Sequence, residues 1–293
     1  MFKNQLIVSL RKKNFLVSFL IMLILCFGYY LFIWSLAMKQ TDKSHICSAQ
    51  SAFILCGDGN APMVWIVEML FPFLALLPNS FSYLNDKQLR MDNIYISRAG
   101  KMQYYFSKVV VCFIATFLVF FVPCLMNLIQ AYITFPTNGT LLSGLDISTT
   151  AHDWYILKSS DVNLDRNEGN VAPLLSLLLN HPFVYDLIYT IVFSAYAGLI
   201  GVLGLSLSYR FNPKWKLLLF LPYLIFSKLI ENMIPILYQK LDDRLVIGSI
   251  MVYISPEGKL SGDYSNIFFA LYLLFIILLI VALNSMQIRK DQL

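Results

Sequence analysis

Few residues of this chain are of types and spacings that do chemistry. The three histidines, His45, His152 and His181, fall between apolar runs and never in a metal-ligand frame such as H-E-x-x-H. They read as loop histidines, and no metal site is expected. A phosphate-cradling loop needs G-x-x-x-x-G-K-[ST], whose glycine amides and lysine hold the phosphates. The Gly100-Lys101 and Gly258-Lys259 pairs lack both the upstream glycine and the following Ser or Thr. The chain is expected to hold no nucleotide, no cofactor and no catalytic residue of its own. Of five cysteines, Cys26, Cys112 and Cys124 lie in apolar runs and read as small apolar side chains. Cys47 and Cys56 share one connection, where an oxidising exterior would allow a disulfide if the geometry fits.

Ionisable residues inside apolar runs are the sharper signal. Lys228 and Glu231 are three apart, so a helix puts them on one face. Glu68 lies about a turn inside its own run, and Asp186 sits at a run boundary. At membrane depth such groups face the protein interior or a water-filled cavity. Glu68, Lys228 and Glu231 therefore read either as lining a translocation path or as a structural ion pair and boundary residues. Pro72 and Pro78, and Pro222 and Pro235, mark these two runs as kinked or broken helices, whose freed carbonyls neighbours can satisfy.

The elements that carry these residues follow from composition. The 293 residues are 58% hydrophobic and 13% charged, and Phe and Tyr alone number 40. Soluble chains carry about 25% charged residues, so lipid must be the solvent for much of this one. A span needs about 20 mainly apolar residues, and six runs qualify: 14–37, 63–84, 109–133, 184–208, 216–238 and 266–287. The first is too long for a signal-peptide core of about 7–15 residues, so it is expected to stay in the protein. Fourteen Lys and Arg fall on one side of this arrangement and seven on the other, with Lys228 inside a span. The positive-inside rule puts both termini in the cytoplasm and the acidic 134–182 connection outside. The expectation is an all-α integral membrane protein, one transmembrane domain over 1–293, in the cell membrane. Ala197 and Gly201 form a small-xxx-small pair that lets helices approach closely. Asn138-Gly139-Thr140 matches a glycosylation sequon, a pattern that also arises by chance.

Two segments on the basic side stand out. Residues 1–13 alternate Phe2, Leu6, Ile7 and Leu10 with Lys3, Arg11, Lys12 and Lys13, as suits a helix lying in the membrane interface. Residues 85–108 are polar, basic and aromatic; the plain reading is a positive-inside loop touching anionic lipid.

Ile96-Ser97-Arg98-Ala99-Gly100-Lys101, followed by Tyr104, Tyr105 and Ser107-Lys108, resembles the Ser-Arg, Tyr and Lys run of small bacterial type-2 ATP-binding-cassette exporter permeases. The layout is similar over nearly the whole chain, with an interfacial N-terminal helix, six spans and cytoplasmic ends. The long outer loop departs from it. The resemblance implies that the 85–108 connection holds a coupling helix that docks on a separate ATPase, which would carry ATP and magnesium. It further implies a permease dimer, homomeric or heteromeric, working by alternating access on a peptide, antibiotic or lipid-like substrate. Asp86, Arg90, Asp92, Arg98 and Lys101 are the expected docking residues. Membrane lipid is the other expected partner, and nucleic acid is not. A secondary transporter would instead need ion-coupling carboxylates at mid-membrane. A non-transporting scaffold or immunity subunit would need the same spans and partner surface.

Overall fold

The computed structural model describes residues 2–39, 46–56, 62–137, 139, 177, 180–210, 221–222 and 266–290. These residues are helical and connecting, with no β-strand among them. The helices are α1 (Phe2–Leu10), α2 (Lys13–Lys39), α3 (Pro62–Leu76), α4 (Ser82–Gln88), α5 (Asp92–Ala99), α6 (Lys101–Thr134), α7 (Pro182–Ser208) and α8 (Asn266–Lys290). Four of them, α2, α6, α7 and α8 from Tyr272, are long and apolar enough to cross a membrane. The chain is an all-helical, membrane-embedded protein.

Spacing explains how the helices meet. On α2 the buried residues are Phe15, Ser18, Met22, Leu25, Cys26, Tyr29 and Ile33, one stripe at helical period. Leu16, Leu20, Ile24, Phe27 and Leu31 of the same helix are exposed and apolar, as a lipid-facing side requires. In α7 the buried residues run around most of the helix, which α6, α3 and α8 enclose. Phe71 of α3, Phe120 of α6, and Phe193 and Tyr196 of α7 form a ring cluster with centroids 5.3–5.6 Å from Phe71. Glycines let α7 come this close. A methyl group on Gly201 would lie 2.5 Å from Thr116 Oγ1 and 2.9 Å from the Ala75 carbonyl oxygen. Ser80 Oγ donates to the Gly201 carbonyl at 2.7 Å, and Thr116 Oγ1 to that of Ala75 at 3.3 Å. The small-xxx-small pair thus sits where three helices cross. Hydroxyl-to-carbonyl bonds, free of side-chain bulk, supply part of the adhesion that the hydrophobic effect cannot supply in lipid.

Three elements differ from the boundaries that hydropathy predicts. The 63–84 span is α3, a bend and α4, not one rod. Pro78 has no N–H to give, and its ring disfavours helix at Leu77 and crowds the carbonyl four residues back. The bend keeps Leu77 N–H on Phe73, Ser80 N–H on Leu76 and Ser82 N–H on Asn79, at 3.0–3.3 Å. The third span begins at Lys101, not 109, because its polar first turns are buried at Tyr104, Ser107 and Lys108. The connection before it contracts to α5 and two short joints. The predicted 216–238 span, apart from residues 221–222, lies outside the described residues, as does most of 134–182.

Residues 46–56 are tucked into the bundle instead of looping away from it. Asn127 of α6 accepts from Ile54 N–H at 2.9 Å and donates to the carbonyls of Cys26 and Ala52 at 3.2 and 3.5 Å. Tyr29 O–H donates to the Ser51 carbonyl at 2.8 Å.

Candidate functional site

The polar residues gather at the two ends of α6. Lys108 and Tyr132 are separated by 24 positions, about 36 Å of helix at 1.5 Å per residue. No charged residue stands between them on α6, and a hydrocarbon core is about 30 Å thick.

At the Lys108 end, α4, α5 and the first turns of α6 form a braced corner. α4 ends in a left-handed cap: Met91 N–H returns to the Asp86 carbonyl at 2.9 Å and Arg90 N–H to that of Lys87 at 3.2 Å. The residue at the left-handed position is Arg90, with φ 55°, where glycine is the usual occupant. α5 ends at Gly100, φ 79° and ψ 151°, a conformation that is essentially restricted to glycine. These two joints turn α5 out between α4 and α6.

Asp86 braces the corner from inside. Its carboxylate pairs with Lys108 Nζ at 2.6 Å and accepts from Tyr104 O–H at 2.8 Å. Lys108 Nζ also lies 5.6 Å from the centre of the Tyr104 ring, and Tyr95 of α5 stacks on that ring at 6.2 Å. Tyr105, Tyr83 and Tyr209 continue the aromatic layer, at 4.7–6.2 Å between centroids. The Tyr209 hydroxyl is buried with no hydrogen-bond partner among the described residues, and burial pushes its pKa well above the ordinary phenol range. Lys12, just before α2, donates to Asn79 Oδ1 at 3.1 Å. Burial, then the Lys108 charge, pull its pKa below the usual lysine value, against an opposing pull from Asp86.

Of the expected docking residues, Arg90 and Arg98 are exposed, while Asp92 and Lys101 are half-buried at the starts of α5 and α6. Asp86 faces inward. Leu89 and Met102, 68% and 75% exposed, and Ile94 flank the two arginines. The outer surface of the corner is therefore a ridge of guanidinium groups and large apolar side chains on a fixed frame.

At the opposite end of α6, Asp186 of α7 is fully buried. Its carboxylate accepts from Tyr132 O–H at 2.6 Å and from the Cys56 thiol at 3.5 Å, and Gln50 also bonds to it. As for the Cys47–Cys56 disulfide that the sequence allows, both cysteines are free and buried, and the Cys56 thiol is turned to Asp186. Burial raises the Cys47 pKa, which favours the unreactive thiol. Glu68 lies in α3, and Lys228 and Glu231 lie outside the described residues. No group of three or more His, Cys, Asp and Glu suited to a metal occurs among the described residues.

Tyr104 and Lys108 stand in the run that carries the family resemblance and Asp186 is an acid at a run boundary, but spacing did not foretell their pairings with Asp86 and Tyr132, and Asn127 was not singled out. For Asn127 the signal was an amide within a charge-free helix, which in lipid must find partners. Comparison with protein-family models, with curated proteins and with solved structures gives no match to this chain.

Proposed function

We propose that this chain is the permease subunit of an ATP-driven exporter, with six spans and both termini in the cytoplasm of a bacterial cell. One observation carries the reading: α5 is a short helix exposed on its outer side, stacked on α6 through Tyr95 and Tyr104, and held next to the Asp86–Lys108–Tyr104 brace that ties α4 to α6. An element that receives force from a separate motor needs both properties. It must be open to the partner, and it must not slide on the span it drives. Arg90 and Arg98 with Leu89 and Ile94 suit a groove that mixes carboxylates with apolar walls. Asp86 serves as the brace and not as a contact. ATP and magnesium belong to the ATPase, a second permease completes the path, and the substrate is a peptide, antibiotic or lipid-like molecule. The double variant Arg98→Glu, Lys101→Glu should insert normally but fail to copurify with the ATPase. Normal copurification and ATP-dependent export by this variant would overturn the reading.

A specific observation favours a second one. Asp186 is a fully buried acid whose partners are neutral donors, the kind of group that an ion-coupled carrier uses. Reconstituted vesicles separate the two. Export that follows ATP and survives a proton uncoupler fits the permease, and transport that follows the proton gradient without ATP fits the carrier.

A further inference from the structure

Between α1, the root of α2 and the α4–α5 corner lies a cavity of about 740 Å³. Its size is within the range of small-ligand sites, about 300–1,000 Å³. Its walls carry two ammonium groups, Lys12 and Lys108, and one carboxylate, Asp86. That carboxylate is committed to Lys108 and Tyr104. Lys108–Asp86 is the one ion pair among the described residues, so Lys12 forms none there and feels the Asp86 charge only at longer range.

The amides sharpen the chemistry. A lysine only donates, so Asn79 Oδ1 is used in accepting from Lys12, and the Asn79 NH2 is left as a donor. Gln5 Oε1 accepts from Ser107 Oγ at 2.9 Å, which likewise leaves the Gln5 NH2 as a donor. A half-buried cation beside the amide donors of Asn79 and Gln5 is suited to the oxygens of a phosphate. The rest of the lining gives the phosphate its context. Val8 and Leu89 are apolar, line the same cavity and are 59% and 68% exposed. Lys12 in the cavity wall immediately precedes the first helix long and apolar enough to cross a membrane, which is the depth of lipid head groups. A free phosphate ion would have no use for the apolar rim, whereas the glycerol and upper acyl carbons of a lipid would cover it.

We propose that this cavity binds a phosphate group, and that the phosphate is the head group of an anionic phospholipid seated between α1 and the α4–α5 corner.

The test uses the full-length protein, purified in detergent and stripped of lipid. Native mass spectrometry counts bound dioleoyl phosphatidylglycerol against dioleoyl phosphatidylcholine. The wild type should retain the anionic lipid selectively. Lys12→Met should weaken that binding about tenfold or more, as loss of a charge-assisted hydrogen bond implies. Lys12→Arg keeps the cation and should retain binding, which guards against a folding defect in the methionine variant. Lys13→Gln, an exposed neighbour, should cost less than about fivefold, the share of one cation near an anionic surface. Equal retention of both lipids would overturn the site, and so would equal losses in Lys12→Met and Lys13→Gln, which would mean a diffuse surface field. Inorganic phosphate or glycerol 3-phosphate displacing the lipid at matching concentration would overturn the lipid as the source of the phosphate.

Discussion

Replacing Gly100 by alanine isolates the backbone joint between α5 and α6 from every other contribution. At φ 79° and ψ 151° an L residue is strained by about 1–3 kcal/mol. An added methyl would meet nothing within 4 Å, so packing neither offsets the strain nor adds to it. The strain vanishes when the joint opens, so the open population should rise by a factor of about 5–150, at 1.4 kcal/mol per tenfold. The reporters are amides that close the joint. Residue 100 N–H bonds to Ile96 at 2.9 Å, and Tyr104 N–H bonds back to residue 100 at 3.1 Å. Hydrogen exchange of the detergent-solubilised protein should accelerate by that factor from residues 96 to 104 and stay unchanged in the middle of α6 and α7. Exchange within about twofold of wild type at the joint would refute the argument that this conformation holds α5 in place. Acceleration spread evenly along α6 would refute it too, because the joint would then share its stability with the whole bundle.

Other expectations follow from the same geometry. Gly201→Ala must push apart helices at contacts of 2.5 and 2.9 Å, and should destabilise the bundle by about 1–3 kcal/mol, read as a lower melting temperature in detergent. Lys108→Met leaves the partly buried Asp86 without its ion-pair partner and should cost about 1–3 kcal/mol, while the double variant with Asp86→Asn should recover most of it; equal melting of the single and double variants would count against the brace. Asn127→Ala removes one acceptor and two donor contacts to residues 26–54, and should cost about 1–3 kcal/mol, seen as faster proteolysis at residues 46–56. Arg90→Gly relieves a left-handed conformation worth about 1 kcal/mol, so it should raise the melting temperature slightly, seen as a later unfolding transition in detergent.

Hydropathy was a good guide to α2, α6, α7 and α8, because a run of some 25 apolar residues has few options in lipid other than a helix. Its errors came where local chemistry overrides the running average. Pro78 divides a run that is continuous by hydropathy into α3 and α4. Conversely, α6 extends into a stretch that the average reads as a connection, since Tyr104 and Lys108 find partners on Asp86 across the corner. The candidate site was legible in part. The basic run 85–108 announced a surface, and Arg90 and Arg98 are exposed on it. Which charge faces out is decided by pairings over 18 to 22 positions, as at Tyr104–Asp86 and Lys108–Asp86, and sequence spacing is silent on those. The Asp186 cluster was harder still, since Gln50, Cys56, Tyr132 and Asp186 come from three distant parts of the chain.

The length of α6 has a mechanical consequence. Its 34 residues make a rod of about 51 Å, roughly 20 Å longer than a hydrocarbon core is thick. The rod is unbroken from the Gly100 joint to Pro123, where the missing N–H removes one rung of the ladder. Those 22 positions form a stiff arm of about 33 Å. A sideways push of 3 Å at its outer end would turn it by only about 5°, from the arm length just given. Small strokes at the corner would thus reach the middle of the bundle as tilt and not as bending, with the proline as fulcrum, and spin-label distances on either side of Pro123 would read the angle directly.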